Sequence, residues 1–159
     1  MIPPLSFERV YADCHHHVHA LCLNLLGNSA DAQDAFQDTF LAVSRALPSF
    51  RGDASVKTWV HRIAIRTALK VRARRRPTAE LSDQLPGAAT DPIGDHAEAD
   101  AVARALGSLS FEHRLVLSLF AVAGLTHVEI AETLGIPEGT VWSRLHHAKR
   151  KLGELLPAR

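Results

Sequence analysis

Residues 50–76 read FRGDASVKTWVHRIAIRTALKVRARRR and hold nine of the 18 basic residues of the chain against one acid, Asp53. Mostly apolar side chains recur at helical spacing, which predicts a helix with a buried face: Val56, Val60, Ile63, Thr67 and Val71. A row of cations steps by four along the same helix: Arg62, Arg66, Lys70 and Arg74. Ile65 and Leu69 lie opposite Ile63, so we expect this helix to pack on two sides.

This concentration of positive charge favours a polyanionic partner, although the net charge of the whole chain is only +1. Duplex DNA carries about one charge per 1.7 Å of helix axis and attracts such a field. The loop at residues 50–55 mixes an aromatic ring, an arginine and a glycine, and aromatic and guanidinium planes stack on unpaired bases. A merely solvated basic face is the alternative, but the row and the loop together favour nucleic acid.

The composition indicates an ordinary globular protein of the cell interior. The 159 residues are 47% hydrophobic, which suits one domain or two small ones. Two cysteines, Cys14 and Cys22, are too few for a disulfide framework. The start of the chain lacks the features of a signal peptide, and no apolar run is long enough for a membrane span. We therefore expect a cytoplasmic protein with no membrane insertion.

The charge of successive segments divides the chain. Residues 1–50 carry −3, residues 51–76 carry +8, residues 77–100 carry −6 and residues 101–159 carry +2. Residues 77–97 lose all helical periodicity and hold three prolines and two glycines, which predicts a flexible acidic linker. The sequence thus predicts an all-α protein of two small helical domains, residues 1–76 and 98–159.

Two further helices precede the basic one. Ser6 is placed to cap the first, which ends at Gly27, and Asn28 or Ser29 begins the second, which ends at Pro48. The predicted apolar face of the first helix consists of Phe7, Tyr11, Cys14, Val18, Leu21 and Leu25. The outer side of the second helix is acidic with one apolar residue: Asp31, Asp34, Gln37, Asp38 and Leu41. A solvated face explains this acidic pattern about as well as a partner site does.

Residues 125–152 read LTHVEIAETLGIPEGTVWSRLHHAKRKL and predict a helix-turn-helix. Thr126 and Glu129 form a capping box, and Gly135 turns the chain before the second helix. The exposed side of that second helix is polar and cationic: Thr140, Trp142, Ser143, Arg144, His146, His147, Lys149 and Arg150. An ordinary helical hairpin is the alternative. The capping box, the glycine turn and the basic face of the second helix occur together here, which favours the helix-turn-helix.

Both halves resemble one family. Residues 29–69, SADAQDAFQDTFLAVSRALPSFRGDASVKTWVHRIAIRTAL, followed by RARRR, resemble the polymerase-binding and promoter-melting domain of bacterial sigma factors. Residues 125–152 resemble their promoter-binding C-terminal domain. The chain is similar to the small extracytoplasmic-function (ECF) group of the sigma-70 family. The resemblance implies a transcription initiation factor that binds core RNA polymerase and promoter DNA and is inhibited by an anti-sigma factor.

The resemblance also implies roles for matching residues. The acidic face of the second helix would grip the clamp helices of the polymerase large subunit. The loop residues Phe50, Arg51, Gly52, Asp53 and Ser55 would capture a flipped non-template base of the −10 element. The helix after them would hold the flanking strand through Lys57, Trp59, His61, Arg62, Arg66 and Lys70. In the last helix Trp142, Ser143, His146, His147 and Arg150 would read the −35 element, and Arg144 and Lys149 would contact phosphates.

The chain departs from the family pattern at three positions. Ser44 stands where relatives often carry tryptophan, which predicts one weaker core contact. Relatives often carry a basic residue at the positions of Trp142 and His147. These two departures bear on the preferred −35 sequence and leave the mode of binding unchanged.

Two other functions compete with this interpretation. His15, His19 and Cys22 lie within one wedge of the first helix and are residue types that ligate zinc, although buried cysteine is more often a small hydrophobe. A plain helix-turn-helix regulator would explain the second domain but not residues 50–76. No nucleophile–base pair or phosphate-cradling glycine loop is recognisable, so we expect neither an enzyme nor a cofactor.

Overall fold

The computed structural model describes residues 4–75 and 97–156, and the regular structure in these ranges is entirely helical. In chain order the elements are α1 (Phe7–Leu26), α2 (Ser29–Ala46), a 3-10 turn (Leu47–Ser49), α3 (Val56–Arg74), α4 (Ala97–Gly107), α5 (Phe111–Ala121), α6 (His127–Leu134) and α7 (Glu138–Leu155). The all-α fold is confirmed. The predicted linker lies outside the described residues except for its last position.

The helix boundaries follow from local chemistry that the sequence carries. Ser6 Oγ accepts the Arg9 N–H at 3.3 Å, and Gly27 ends α1 in the left-handed conformation with φ 76°. Asn28 Oδ1 accepts the Asp31 N–H at 2.8 Å and so begins α2. Side-chain caps of this kind satisfy N–H groups that have no partner within the helix. The predicted starts of both helices are confirmed.

The helix-turn-helix is also present. Thr126 and Glu129 form both hydrogen bonds of the capping box at the start of α6. Gly135 then turns the chain with φ 67°, a conformation that a residue with a Cβ adopts only with strain. Helices α5, α6 and α7 bury a common apolar core, which is formed by Val116, Leu119, Ile130, Val141 and Leu145.

The helices α1, α2 and α3 pack around a second set of apolar side chains, which includes Val18, Leu21, Val43 and Val60. Two expectations about this core are wrong. Tyr11 is 38% exposed, and Val10 beside it is buried instead, whereas most of the predicted face is buried as expected: Cys14, Val18, Leu21 and Leu25. Ser44 is exposed on α2, so it weakens no core contact.

The N-terminal half, residues 4–75, and the C-terminal half, residues 97–156, pack against each other and share one continuous core. Helix α1 contacts α5, and α3 contacts α6. Thr58 Oγ1 on α3 donates a hydrogen bond to Glu129 Oε2 on α6 at 2.5 Å. Helix α3 also packs against α1 and α2, so it has contacts on more than one side as predicted. Of the two residues on which that prediction rested, Ile65 is buried but Leu69 is 37% exposed.

No helix in residues 4–75 and 97–156 combines the length and the apolar character that a membrane crossing requires.

We predict that the buried His61 makes the fold less stable in mild acid. Its side chain has no exposed surface, and burial lowers its pKa, with Lys57 and His17 adding repulsion. Its proton therefore binds mainly in the unfolded state, so stability is full above about pH 6.5 and falls below it. The contribution of this group to the free energy of unfolding therefore decreases as the pH falls from 7.5 to 5.5.

Urea unfolding of the whole chain at these two pH values measures the effect. His61→Gln should shrink the difference in free energy of unfolding between the two conditions. The exposed His16→Gln serves as the matched control and should leave that difference as in the natural chain. An unchanged pH dependence in His61→Gln would show that other groups carry it, among them His113, whose pKa burial also lowers.

Candidate nucleic-acid interface

The loop at residues 50–55 presents an aromatic pair beside exposed polar residues. The Phe50 ring lies 4.9 Å from the Trp59 ring, centroid to centroid, at an interplanar angle of 48°. Gly52 has φ 79°, and Arg51 and Asp53 are exposed on either side of it. The loop thus offers an aromatic surface next to a guanidinium group, the two side-chain types that stack on unpaired bases.

The cationic row of α3 is divided. Arg66 and Lys70 are exposed, whereas Arg62 points toward α6. Arg62 Nε donates to Thr133 Oγ1 at 3.0 Å, and its Nη2 lies 3.4 Å from Glu132 Oε2. The first cation of the row is therefore engaged by the C-terminal half of the chain.

Three other residues predicted to touch the −10 DNA are engaged within the fold. His61 is completely buried, with its Nδ1 2.6 Å from the Lys57 carbonyl oxygen, so its assignment to the DNA surface is wrong. The Lys57 side chain lies beside Gly124 in the loop between α5 and α6. Its Nζ would be 3.1 Å from a Cβ atom added to that glycine. Ser55 Oγ accepts the Thr58 N–H at 3.1 Å and begins α3.

The acidic face of α2 is partly neutralised by the end of α3. Arg75 Nε lies 3.0 Å from Asp31 Oδ1, and Arg75 Nη2 lies 3.4 Å from Asp34 Oδ2. Arg74 approaches Asp38 at 3.6 Å. The side chain of Asp31 is only 12% exposed, so this carboxylate supports the fold more than it offers a surface.

The remainder of that face is accessible. Asp34, Gln37 and Asp38 are exposed, and Leu41, the one apolar member, is 54% exposed. An exposed leucine among hydrogen-bonding side chains is a suitable anchor for a partner helix, because its burial would add an apolar contact to a polar rim.

The predicted reading face of α7 is largely open to solvent. Trp142 is 58% exposed and stacks on His127, with the ring centroids 4.0 Å apart. The other exposed members of this face are Ser143, His146, His147, Lys149 and Arg150. Thr140 is half-buried, and Arg144 is half-buried with its Nη2 3.6 Å from Glu112. Lys149 Nζ also lies 4.4 Å above the Phe120 ring.

The zinc alternative gains no support from the arrangement of α1. Across the described ranges, no three histidine, cysteine or acidic side chains are grouped so that they could hold a metal ion. Burial raises the pKa of the Cys22 thiol to about 12, which disfavours the thiolate that a metal requires. His15 instead stacks on Tyr11, with the ring centroids 5.0 Å apart.

Several residues at the contact between the halves were not predicted as functional. Glu132 and Thr133 engage Arg62, and the Arg72 guanidinium lies 3.8 Å above the Phe111 ring. The capping role of Glu129 was predicted, but its hydrogen bond to Thr58 was not. These partners lie on distant segments of the chain, so no local pattern identifies them.

The comparisons with known proteins agree with this geometry. Residues 10–78 match the family described as Sigma-70 region 2, and residues 99–152 match Sigma-70, region 4. The chain is 37% identical over 153 residues to the ECF RNA polymerase sigma factor SigM of Mycobacterium tuberculosis, covering 95% of this chain and 77% of that protein. It is 30% identical to the RNA polymerase sigma-H factor of Pseudomonas aeruginosa, covering 95% and 86% of the two chains.

Two solved structures share the fold. The sigma factor RpoE of Bartonella quintana, in complex with the anti-sigma factor NepR, gives a TM-score of 0.72 at 22% identity, over 94% of this chain and 95% of that one. CnrH, in complex with the cytosolic domain of CnrY, gives 0.69 at 25% identity, over 94% and 86%. The chain belongs to the ECF sigma factors of the sigma-70 family, and it is therefore a transcription initiation factor.

We predict that two acids of α2 differ in their structural importance. Asp31→Ala removes a nearly buried carboxylate that joins Arg75 to Asn28, and should lower the free energy of unfolding by about 1–3 kcal/mol. Asp38→Ala removes an exposed pair and should cost less than about 1 kcal/mol. Chemical denaturation of the two variants checks this, and equal effects would contradict the structural role of Asp31.

Proposed function

We propose that this sigma factor recognises both promoter elements, with α7 in the major groove of the −35 element and the loop and α3 on the −10 element. The observation that carries the proposal is the joint presence of an aromatic loop and exposed cations at one site, residues 50–70, in a chain with a helix-turn-helix. The assignment divides the chain into three parts. Residues 1–76 bind polymerase and the −10 element, residues 77–97 form a linker, and residues 98–159 form the helix-turn-helix domain that recognises the −35 element.

Strand opening depends on how much more tightly the protein binds the open promoter than the closed duplex. Taking a base out of the duplex stack costs a few kcal/mol, and a site that accepts only the extruded base lowers the free energy of the open state. Stacking on an aromatic side chain contributes about 1–3 kcal/mol per base. Phe50 and Trp59 offer such a surface, and Arg66 and Lys70 would hold the phosphates beside it. Recognition and opening then become one event, with no covalent chemistry in this chain.

Recognition of the −35 element falls to α7. The second helix of a helix-turn-helix enters the major groove and contacts base edges with its first turns. Trp142, Ser143 and His146 are exposed in this part of α7, with His147 and Arg150 further along. A good base contact contributes about 1–3 kcal/mol of discrimination. Lys149 and Arg144 would contact phosphates, which positions the helix without specifying sequence.

Polymerase and inhibitor complete the set of partners. We assign the polymerase contact to Asp34, Gln37, Asp38 and Leu41, the accessible part of the acidic face, with Asp31 supporting it from below. The two structural neighbours were solved in complex with anti-sigma factor NepR and with the cytosolic domain of CnrY. An anti-sigma factor that covers the same face is the corresponding expectation for this chain.

We predict that the exposed cations of α3 are needed for promoter opening. Arg66→Gln combined with Lys70→Gln should lower permanganate reactivity of −10 thymines about tenfold in reconstituted holoenzyme. Each single-strand phosphate that a variant no longer neutralises should reduce the salt slope of log affinity by about 0.7, so the pair should reduce it by about 1.4. The matched control is Arg9→Gln with Arg45→Gln, two exposed cations on α1 and α2. Wild-type opening by the first pair would refute the assigned role of α3.

We predict that base reading and phosphate contact separate within α7. Trp142→Ala should reduce discrimination between a −35 duplex and a scrambled duplex by about 1–3 kcal/mol. Lys149→Gln should weaken binding to both duplexes equally. It should also reduce the slope of log affinity against log salt concentration by about 0.9. Fluorescence anisotropy of holoenzyme on the two duplexes measures both quantities. Unchanged discrimination by Trp142→Ala would remove that residue from the reading face.

A further inference from the structure

We propose that Trp142 recognises a thymine of the −35 element by its C5-methyl group, and that His127 holds the indole in place for this contact. The inference rests on the proposed function, because it assumes that α7 lies in the major groove. It adds the type of base that this helix selects at one position, and it adds a positioning residue that lies outside α7.

Trp142 presents a large apolar surface near the start of α7. It lies in the second turn of this helix, and its side chain is 58% exposed. The first turns of a recognition helix are the part that reaches the base edges. The exposed residues beside it are polar, namely Ser143 and, one turn further on, His146. Trp142 therefore brings an apolar ring to the part of the helix that contacts bases.

One face of this indole is covered by His127, the first residue of α6. The two ring centroids are 4.0 Å apart and the planes are inclined by only 9°, which is a stacked arrangement. His127 is half-buried and also contacts Phe120 of α5, with the ring centroids 5.4 Å apart. Trp142 is thus the most exposed of three rings that join α5, α6 and α7, and the two more buried rings support it.

The chemistry of an indole determines which base it can distinguish. It has a single N–H donor and no acceptor, so it cannot form the paired hydrogen bonds by which arginine recognises guanine or asparagine recognises adenine. Thymine differs from the other bases by the C5-methyl group that it displays in the major groove. Contact between this methyl group and the exposed ring removes two apolar surfaces from water. An indole at this position therefore favours thymine.

The stack with His127 strengthens this selection because it orders the indole before DNA binds. A side chain that becomes fixed only on binding loses rotamer freedom, and this loss weakens the affinity. The contact with His127 already restricts the Trp142 ring in the free protein, so less freedom is lost when the base arrives. His127 thus acts through Trp142 and need not touch the base. Another aromatic ring could replace it in this role, whereas alanine could not.

The first experiment identifies the base and tests the contact. Reconstituted holoenzyme with the natural chain selects duplexes from a pool that is randomised over the −35 element. The selected duplex is then made again with deoxyuridine in place of each thymine in turn, which removes only the C5-methyl group. We expect one position at which this replacement weakens binding about fourfold, the effect of one buried methyl group. Trp142→Ala should abolish this sensitivity, and Trp142→Arg should change the selected base at that position to guanine.

The second experiment tests the positioning role of His127 by the ratio of the affinities for the thymine and uracil duplexes. His127→Ala should lower this ratio from about four toward one, and His127→Phe should restore it. The matched control is His113→Ala, which removes another half-buried histidine that stacks on α7, since its ring centroid lies 6.0 Å from that of His147. This control should leave the ratio unchanged. An unchanged ratio in His127→Ala, or no recovery in His127→Phe, would overturn the positioning role.

Failure of this inference can be told apart from failure of the proposed function. If the holoenzyme selects a −35 sequence that variants of α7 alter, but no thymine in it is sensitive to loss of its methyl group, recognition of thymine by Trp142 is wrong and the −35 assignment of α7 stands. If the natural chain selects no sequence over this region, the −35 assignment fails and the role of Trp142 fails with it.

Discussion

The packing of α3 on more than one side constrains the rest of the molecule. This helix carries the cationic row yet contacts α1 and α2 within its own half and α6 in the other. A buried charge without a partner costs several kcal/mol, so the cations must be either exposed or matched. Arg66 and Lys70 are exposed to solvent, whereas Arg62 and Arg75 are paired with carboxylates. The distribution of charge on the surface follows from this packing.

The same constraint connects surfaces that the sequence presents as separate. Arg74 and Arg75 end the basic helix but reach back to the acids of α2, the proposed polymerase contact. A partner that binds Asp34 or Asp38 must therefore compete with, or incorporate, an arginine from the end of α3. The two surfaces share side chains at the end of α3, so occupation of one changes the charge presented by the other.

The sequence predicts what is local and misses what depends on distant segments. The caps at Ser6 and Asn28 and the box at Thr126 are short-range, and all are present. The pairing of Arg62 with α6 joins residues about seventy positions apart, which no periodicity reveals. His61 is an intermediate case: it lies four residues before the buried Ile65, on the side already expected to pack. Helical spacing favoured burial there, and the family resemblance suggested DNA instead.

Two kinds of interaction join the N-terminal and C-terminal halves of the chain. Apolar burial stabilises the contact between the halves irrespective of charge. The Arg62 contact differs, because its anionic partner is of the same type as a phosphate. In the proposed promoter complex a phosphate at Arg62 would replace the Glu132 carboxylate, so the guanidinium would keep an anionic partner. Separation of the halves would also expose the apolar surface that they share, so the cost of separation is set mainly by that surface rather than by the ion pair.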